Sequence, residues 1–104
     1  MNDFEIIANN FIEKIASNIE EQDKNYIFEI EYSNEVLSIA IENKIFIINK
    51  QRPLKEIWLA SPISGPHHFK FINERWINKK GEKITDIISE ELSALQTQKI
   101  KISE

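Results

Sequence analysis

Apolar residues recur at spacings of three and four through the first twenty positions: Phe4, Ala8, Phe11, Ile15 and Ile19, with Ile7 and Ile12 widening the stripe. That period predicts an amphipathic helix. Asn2, followed three residues later by Glu5, fits an N-terminal capping box. The pattern fades at Gln22–Asn25, and period two takes over. Over Tyr26–Tyr32, the side chains of Tyr26, Phe28, Ile30 and Tyr32 share one face, while Ile27, Glu29 and Glu31 share the other. Ser33–Asn34 reads as a turn. Over Glu35–Ile41, Leu37, Ile39 and Ile41 form an apolar face opposite Ser38 and Ala40. A second tight turn is predicted at Glu42–Asn43–Lys44, with Asn43 as the residue tolerant of positive φ. Lys44–Asn49 is a third strand, apolar at four consecutive positions, so the pattern leaves its facing open. Leu54–Ser61 is a fourth. Phe69–Ile72 and Arg75–Asn78 are short strands that close a hairpin through Asn73–Glu74. After Gly81 the helical period returns from Lys83 to Leu95, with Ile84, Ile87, Ile88, Leu92 and Leu95 on one side. In the tail, Lys99–Glu104, Ile100 and Ile102 alternate with polar residues, which suits an extended segment lying against the body.

A helix, several hairpin-linked strands and a second helix, with one apolar stripe per helix, predict a single α+β domain over residues 1–104. Its economical form is a two-layer α/β sandwich, both helices packed on one face of an antiparallel sheet of about five to six strands. The other sheet face then meets solvent. In Leu54–Ser61, alternation puts Ile57 and Leu59 on one face and Glu56, Trp58 and Ala60 on the other. Glu56 should not be buried, so Trp58 is expected on the open face. Two readings follow. A tryptophan on a rigid sheet can anchor a partner protein. It can equally be covered by its own neighbours, such as the loop Pro62–Pro66. Pro53 is expected to fix entry to this strand, and Pro62, Gly65 and Pro66 to set the turn that leaves it.

Charge sharpens the picture. Residues 1–35 hold nine acids against two bases, and residues 36–104 hold eight acids against eleven bases. An acidic N-terminal third suits cations or a basic partner protein and repels nucleic acid. Glu13, Glu20 and Glu21 lie off the apolar stripe, Asp23 follows at the helix end, and Glu29 and Glu31 emerge on the next strand. If that strand lies at the edge beside the first helix, these six form one acidic ridge. Such oxygen ligands bind divalent or ferric cations weakly, with water retained. The ordinary reading of the same pattern is a solvated helix face. The chain has no cysteine, which excludes thiolate metal sites, thiol catalysis and disulfides. His67–His68 point to opposite faces of a strand and cannot readily chelate one ion. Ser61 and Ser64 lack nucleophile-elbow spacing, and there is no glycine-rich phosphate loop. The start M-N-D-F-E is acidic and matches neither a secretory signal nor a transit peptide, and no apolar run approaches a membrane span, so a cytoplasmic protein is expected.

The stretch from Asn49 to Pro66 then carries a resemblance. Asn49, Lys50, Gln51, Pro53, Ile57, Trp58, Leu59, Ser61, Pro62, Ser64, Gly65 and Pro66 give N-K-Q-x-P-x-x-x-I-W-L-x-S-P-x-S-G-P. This resembles the central signature of frataxins, whose bacterial members are called CyaY. The resemblance runs from the acidic first helix, through E-V-L-S-I, to Trp76 and the closing helix ending S-E-E-L. The S-P-x-S-G-P portion is more similar to the mitochondrial form than to many bacterial ones. The resemblance implies an iron-binding protein of iron–sulfur cluster assembly that docks on the cysteine desulfurase and scaffold protein and modulates sulfur transfer. It implies iron, ferrous or ferric, held weakly by Glu20, Glu21, Asp23, Glu29 and Glu31, with Glu13 on the same ridge. It implies desulfurase contact through Glu20 and Glu21, and scaffold contact through Trp58 and Asn49, with Gln51 of the same signature beside them. A monomer is expected, with oligomers in excess iron. The alternative in the same family is a ferroxidase or an iron store. The sequence departs from the pattern in one respect: Ala16, Ser17 and Asn18 offer no carboxylate before Glu20, so iron binding should be weaker and more hydrated.

Overall fold

A computed structural model of the chain describes residues 3–96 and 100–103. The elements run α1 (Asp3–Gln22), β1 (Glu29–Ser33), β2 (Val36–Ile41), β3 (Lys44–Gln51), a 3-10 turn (Arg52–Leu54), β4 (Glu56–Ser61), β5 (Gly65–Ile72), β6 (Arg75–Ile77) and α2 (Ile84–Ala94). The six strands pair in sequence order, each antiparallel to the next. Short local connections make this meander, and it leaves β1 and β6 as edges. One core joins the two layers. The stripe of α1 (Ala8, Ile12, Ile15, Ile19) and that of α2 (Ile84, Ile88, Leu92) bury against Leu37, Ile39, Phe46, Ile48, Ile57, Leu59 and Phe69. Both helices therefore cover one sheet face, as expected. The facing of β3, which its apolar run left open, resolves as Phe46, Ile48 and Lys50 inward. Trp76 of β6 is 2% exposed and receives Phe4 and Phe11 from α1 and Phe71 from β5, at ring-centroid separations of 6.1, 6.0 and 5.1 Å. These aromatic pairs add about 0.5–1.5 kcal/mol each beyond the area they bury.

Several boundaries differ from the alternation, each for a local reason. Strand β1 begins at Glu29 and not at Tyr26. Tyr26 is 90% exposed with φ 53°, because the Asp23 carboxylate accepts from the amides of Ile27 and Phe28, both at 2.9 Å, and shapes a loop there. The first turn is Asn34–Glu35, one residue later than Ser33–Asn34. Both residues have positive φ (51° and 63°), a type I′ geometry that matches strand twist. In the next turn the left-handed residue is Glu42 (φ 54°), not Asn43. Strand β4 begins at Glu56 and not at Leu54. Pro53 lies inside the 3-10 turn, and Lys55 at φ 53° closes it. Strand β5 starts at Gly65, four residues before Phe69, because Gly65 (φ 86°) pairs with Ser61 across the three-residue loop Pro62–Ser64. Pro66 is thus a strand residue, opposite Ala60. Strand β6 reaches only Lys70–Ile72, so Pro66 sits where β5 is locally an edge and can lack an N–H.

Ser61 holds that loop: its Oγ accepts from the amides of Ile63 and Ser64 at 2.9 and 3.0 Å and donates to Glu91 of α2 at 2.5 Å. The C-terminal segment is extended against the body, as its alternation predicts. Ile100 and Ile102 are 3% and 4% exposed. Gln22 of α1 clasps both backbone groups of Lys101, while Ser93 and Ser89 of α2 accept from the amides of Ile100 and Ile102. The expected cap at Asn2, and Lys99 and Glu104 of the tail, lie outside the described residues. No described helix is long and apolar enough to cross a membrane.

Candidate functional site: an acidic edge and a framed tryptophan

Glu13, Glu20 and Glu21 project from the exposed side of α1, because positions seven and eight apart return to one helix face. Strand β1 is an edge, and it packs beside α1 through Ile30 and Tyr32. Its alternate residues Glu29 and Glu31 are exposed on the opposite, open face of the sheet. Glu13 reaches across to this strand: the Tyr32 hydroxyl is pushed up by burial first, and next by the Glu13 charge. The acids therefore flank the β1 edge from its two sides. Among the described residues no three Asp, Glu or His side chains gather tightly enough to hold one metal ion. Asp23 stands apart from the other five. It is 6% exposed, and both its oxygens already accept from backbone amides. Five exposed carboxylates on an open edge fit a hydrated, weakly held cation and do not form a cage.

On the open sheet face, Trp58 of β4 lies between Asn49 of β3 and His68 of β5 in the pairing register. It is half-buried, and its cover is His68: the rings stack 4.0 Å apart at 11°. Trp58 Nε1 donates to Glu56 Oε1 at 2.8 Å, and Lys70 Nζ lies 3.4 Å from Glu56 Oε2. The expectation that Glu56 is solvent-exposed is corrected. It shares the open face with Trp58, as alternation requires, but it is only 9% exposed, because the indole and Lys70 close over it. The indole hydrogen bond holds its carboxyl below the usual range. Burial opposes that shift, and Lys70 reinforces it. Glu56, His68 and Lys70 are the site residues that sequence reasoning missed. Glu56 was legible, two residues before Trp58 on the same face. His68 and Lys70 required the β4–β5 register, which depends on where the loop ends.

Asn49 and Gln51 alternate onto the open face, half-buried, and Lys50 between them points inward. The Lys50 side chain is 1% exposed and reaches Glu5 of α1 at 2.9 Å and Glu35 of the β1–β2 turn at 3.0 Å. Arg52 pairs with the same two carboxylates. Within N-K-Q, the outer residues face the surface and the middle one clamps helix to sheet. Glu5, in the first turn of α1, belongs to this clamp.

Ser64 Oγ lies 2.7 Å from His67 Nε2, and the His67 ring lies 5.9 Å from Phe69. The two histidines thus diverge, His68 to Trp58 and His67 to Ser64. A separate open groove of about 630 Å³, lined by Phe4, Leu54, Phe71 and Trp76 among others, contains none of the candidate residues.

Two helices on one face of a six-stranded meander, with an acidic edge and a framed tryptophan on the uncovered face, define a two-layer sandwich whose candidate chemistry lies on open surfaces. The chain matches the Frataxin-like domain over residues 1–98, and it belongs to the frataxin family. It is 37% identical over 90 residues to the mitochondrial frataxin homolog of Saccharomyces cerevisiae, covering 82% of this chain and 52% of that one. It is 33% identical over 108 residues to the mitochondrial frataxin of Arabidopsis thaliana, covering 97% and 58%. The chain spans about half the length of these relatives. Among solved structures, frataxin from Psychromonas ingrahamii, of the CyaY protein family, superposes with a TM-score of 0.86 at 27% identity over 100% of both chains. Trimeric frataxin from S. cerevisiae, complexed with ferrous iron, superposes with a TM-score of 0.79 at 34% identity over 88% of this chain and 87% of that one.

Proposed function

We propose that this protein is an iron-binding regulator of iron–sulfur cluster assembly, working in the cytoplasm. It docks as a monomer on the cysteine desulfurase and scaffold protein and modulates sulfur transfer. The acidic edge is one contact and the Trp58 face the other. The observation that carries this reading is their placement within one frataxin fold. Exposed Glu20, Glu21, Glu29 and Glu31 line an edge strand, and Trp58, with Asn49 and Gln51, lies further along the same open sheet. A negative edge suits a basic surface on the desulfurase. A half-buried tryptophan on a rigid strand suits an anchor on the scaffold side. Iron is cargo here: hydrated ions associate with one or two at a time of Glu13, Glu20, Glu21, Glu29 and Glu31, with water filling most of the coordination sphere. Asp23 contributes charge while keeping its hold on the loop. The ferrous complex of the yeast relative supports iron as the metal. Its trimeric state supports the second reading, an iron store or ferroxidase, which predicts assembly on adding Fe²⁺.

The test is a backbone NMR titration with Fe²⁺ and then with the desulfurase, on wild type and on the pair Glu20→Lys, Glu21→Lys. Shifts should fall on the α1 end and β1 in both titrations and fade in the variant. Trp58→Ala should weaken scaffold binding by about 2 kcal/mol and leave the iron shifts in place. Iron shifts centred elsewhere, or full scaffold binding by Trp58→Ala, would overturn the assignment. Sedimentation with excess Fe²⁺ separates the two readings: a chain that stays monomeric while still docking rejects the store.

A further inference from the structure

The indole of Trp58 has one hydrogen-bond donor, and the fold has already used it. Nε1 donates to Glu56 Oε1 at 2.8 Å within the same strand. One ring face is also taken, stacked on His68 at 4.0 Å. Lys70 sits 3.4 Å from the other oxygen of Glu56, so the carboxylate is held from two sides, and it is nearly closed to water. What Trp58 leaves for the outside is the rest of its half-buried ring, which Asn49 neighbours across the β3–β4 register.

We propose that Glu56 is the positioning residue of the Trp58 anchor, and that the surface receiving Trp58 on the partner is an apolar cleft without an acceptor for the indole N–H. Two physical points lead there. An anchor whose rotamer is fixed before binding gives up less side-chain entropy on docking, a saving of about two- to tenfold in affinity per immobilised side chain. A donor satisfied internally gains nothing from a partner acceptor, and breaking its bond would leave the nearly buried Glu56 with Lys70 alone, at 3.4 Å. The partner therefore reads shape and apolar surface at Trp58 and takes its polar contacts from Asn49 and Gln51 alongside. Glu56 never touches the partner and acts only through the tryptophan.

This inference rests on the Trp58 face being a docking surface, and the experiment keeps the two apart. Binding of the cognate desulfurase–scaffold complex is measured for wild type, Trp58→Ala, Trp58→Phe, Glu56→Gln and Glu56→Ala, alongside the NMR shift and solvent exchange of the Trp58 Nε1 proton. Glu56→Gln keeps an acceptor and should bind within about twofold of wild type, with the indole proton still protected. Glu56→Ala should free the indole proton, speed its exchange and weaken binding about three- to tenfold, with the fold intact by amide spectra. Trp58→Phe, which lacks the donor, should retain more binding than Trp58→Ala. If Trp58→Ala binds normally, the docking surface itself is wrong. If Trp58→Ala fails to bind but Glu56→Ala binds like wild type, Trp58 is an anchor that needs no positioning, and the proposal falls. If Trp58→Phe is as weak as Trp58→Ala while a free indole in Glu56→Ala binds more tightly than wild type, the partner does supply an acceptor, and the apolar cleft is refuted.

Discussion

Lys50→Met tests the clamp beneath the signature. The substitution keeps the aliphatic stem and removes the ammonium that Glu5 and Glu35 share. Removing one partner of a buried ion pair commonly costs about 3–5 kcal/mol, because the other charge is left sealed and unpaired. Here the acids are not sealed: Glu5 is 16% and Glu35 44% exposed, and both keep Arg52. The thioether also fits a space where the ammonium had to shed its water. The loss at neutral pH should therefore be about 1–2 kcal/mol, or roughly 5–15 °C in Tm for a domain of this size. Its pH dependence is the sharper mark. Glu5 is held low by the Lys50 hydrogen bond first, against burial and with help from Arg52. Glu35 is held low by Lys50 and then by Arg52. A carboxylate lowered in the folded state gives stability that is present above its ordinary value of 4.5 and is lost as pH falls through the folded value. Lys50 is opposite in sign. Burial alone would lower it, but the two hydrogen bonds outweigh burial and raise it, so its contribution holds through neutral pH and is lost only as pH rises through the raised value. Urea denaturation of wild type and variant, followed by circular dichroism from pH 7 to pH 2.5, should give curves that converge on the acid side. Once the carboxyls are protonated, the wild-type ammonium is the buried group without an anionic partner. Parallel curves, or a neutral-pH difference under about 0.3 kcal/mol, would show that the clamp is a crystal-clear geometry with no energetic content.

Three further perturbations probe other parts of the fold. Ile102→Ala removes a nearly buried side chain from the extended C-terminal segment and should cost about 2–4 kcal/mol by urea denaturation; a cost below about 1 kcal/mol would mean the segment is not part of the core. Asp23→Ala removes the carboxylate from the amides of Ile27 and Phe28 and should cost about 1–2 kcal/mol, with hydrogen-exchange protection lost at those two amides while the centre of α1 stays protected. Glu74→Gly should stabilise the protein, because Asn73 and Glu74 form a type I′ turn at φ 51° and 64°. Relief of the left-handed strain outweighs the entropy of the added glycine by about 0.5–1 kcal/mol, read as a rise in Tm of a few degrees.

Elements with a period were legible in the sequence, and elements set by a register were not. The stripes of α1 and α2 are visible because three- and four-residue spacing leaves one apolar face, and the same residues form the core. The two-layer architecture followed, since each helix had one stripe to bury and the strands one apolar face to receive it. Turn positions moved by a residue because the left-handed conformation fell on Glu35, Glu42 and Lys55, residue types that carry no turn signal of their own. Tyr26 fits the alternation of the sequence with Phe28 yet is exposed and lies outside β1, because the Asp23 side chain competes with strand pairing for the local amides.

The candidate site divides in the same way. The acidic edge was legible as composition plus helical spacing, but its geometry was not: alternation on β1 sends Glu29 and Glu31 to the sheet face away from α1, so the acids flank the edge from two sides. The facing of Trp58 followed from period two, while its cover did not, because His68 reaches it only through a β4–β5 register fixed at Ser61 and Gly65. That pairing also explains how one short signature serves two ends. Ile57 and Leu59 fasten β4 to the core, Lys50 fastens β3 to α1, and the residues that alternate with them, Asn49, Gln51 and Trp58, are left to face outward on strands that cannot shift. A one-residue slip of β4 would bury Trp58 and expose Ile57 and Leu59. The core that stabilises the sheet therefore also fixes which side of it a partner meets.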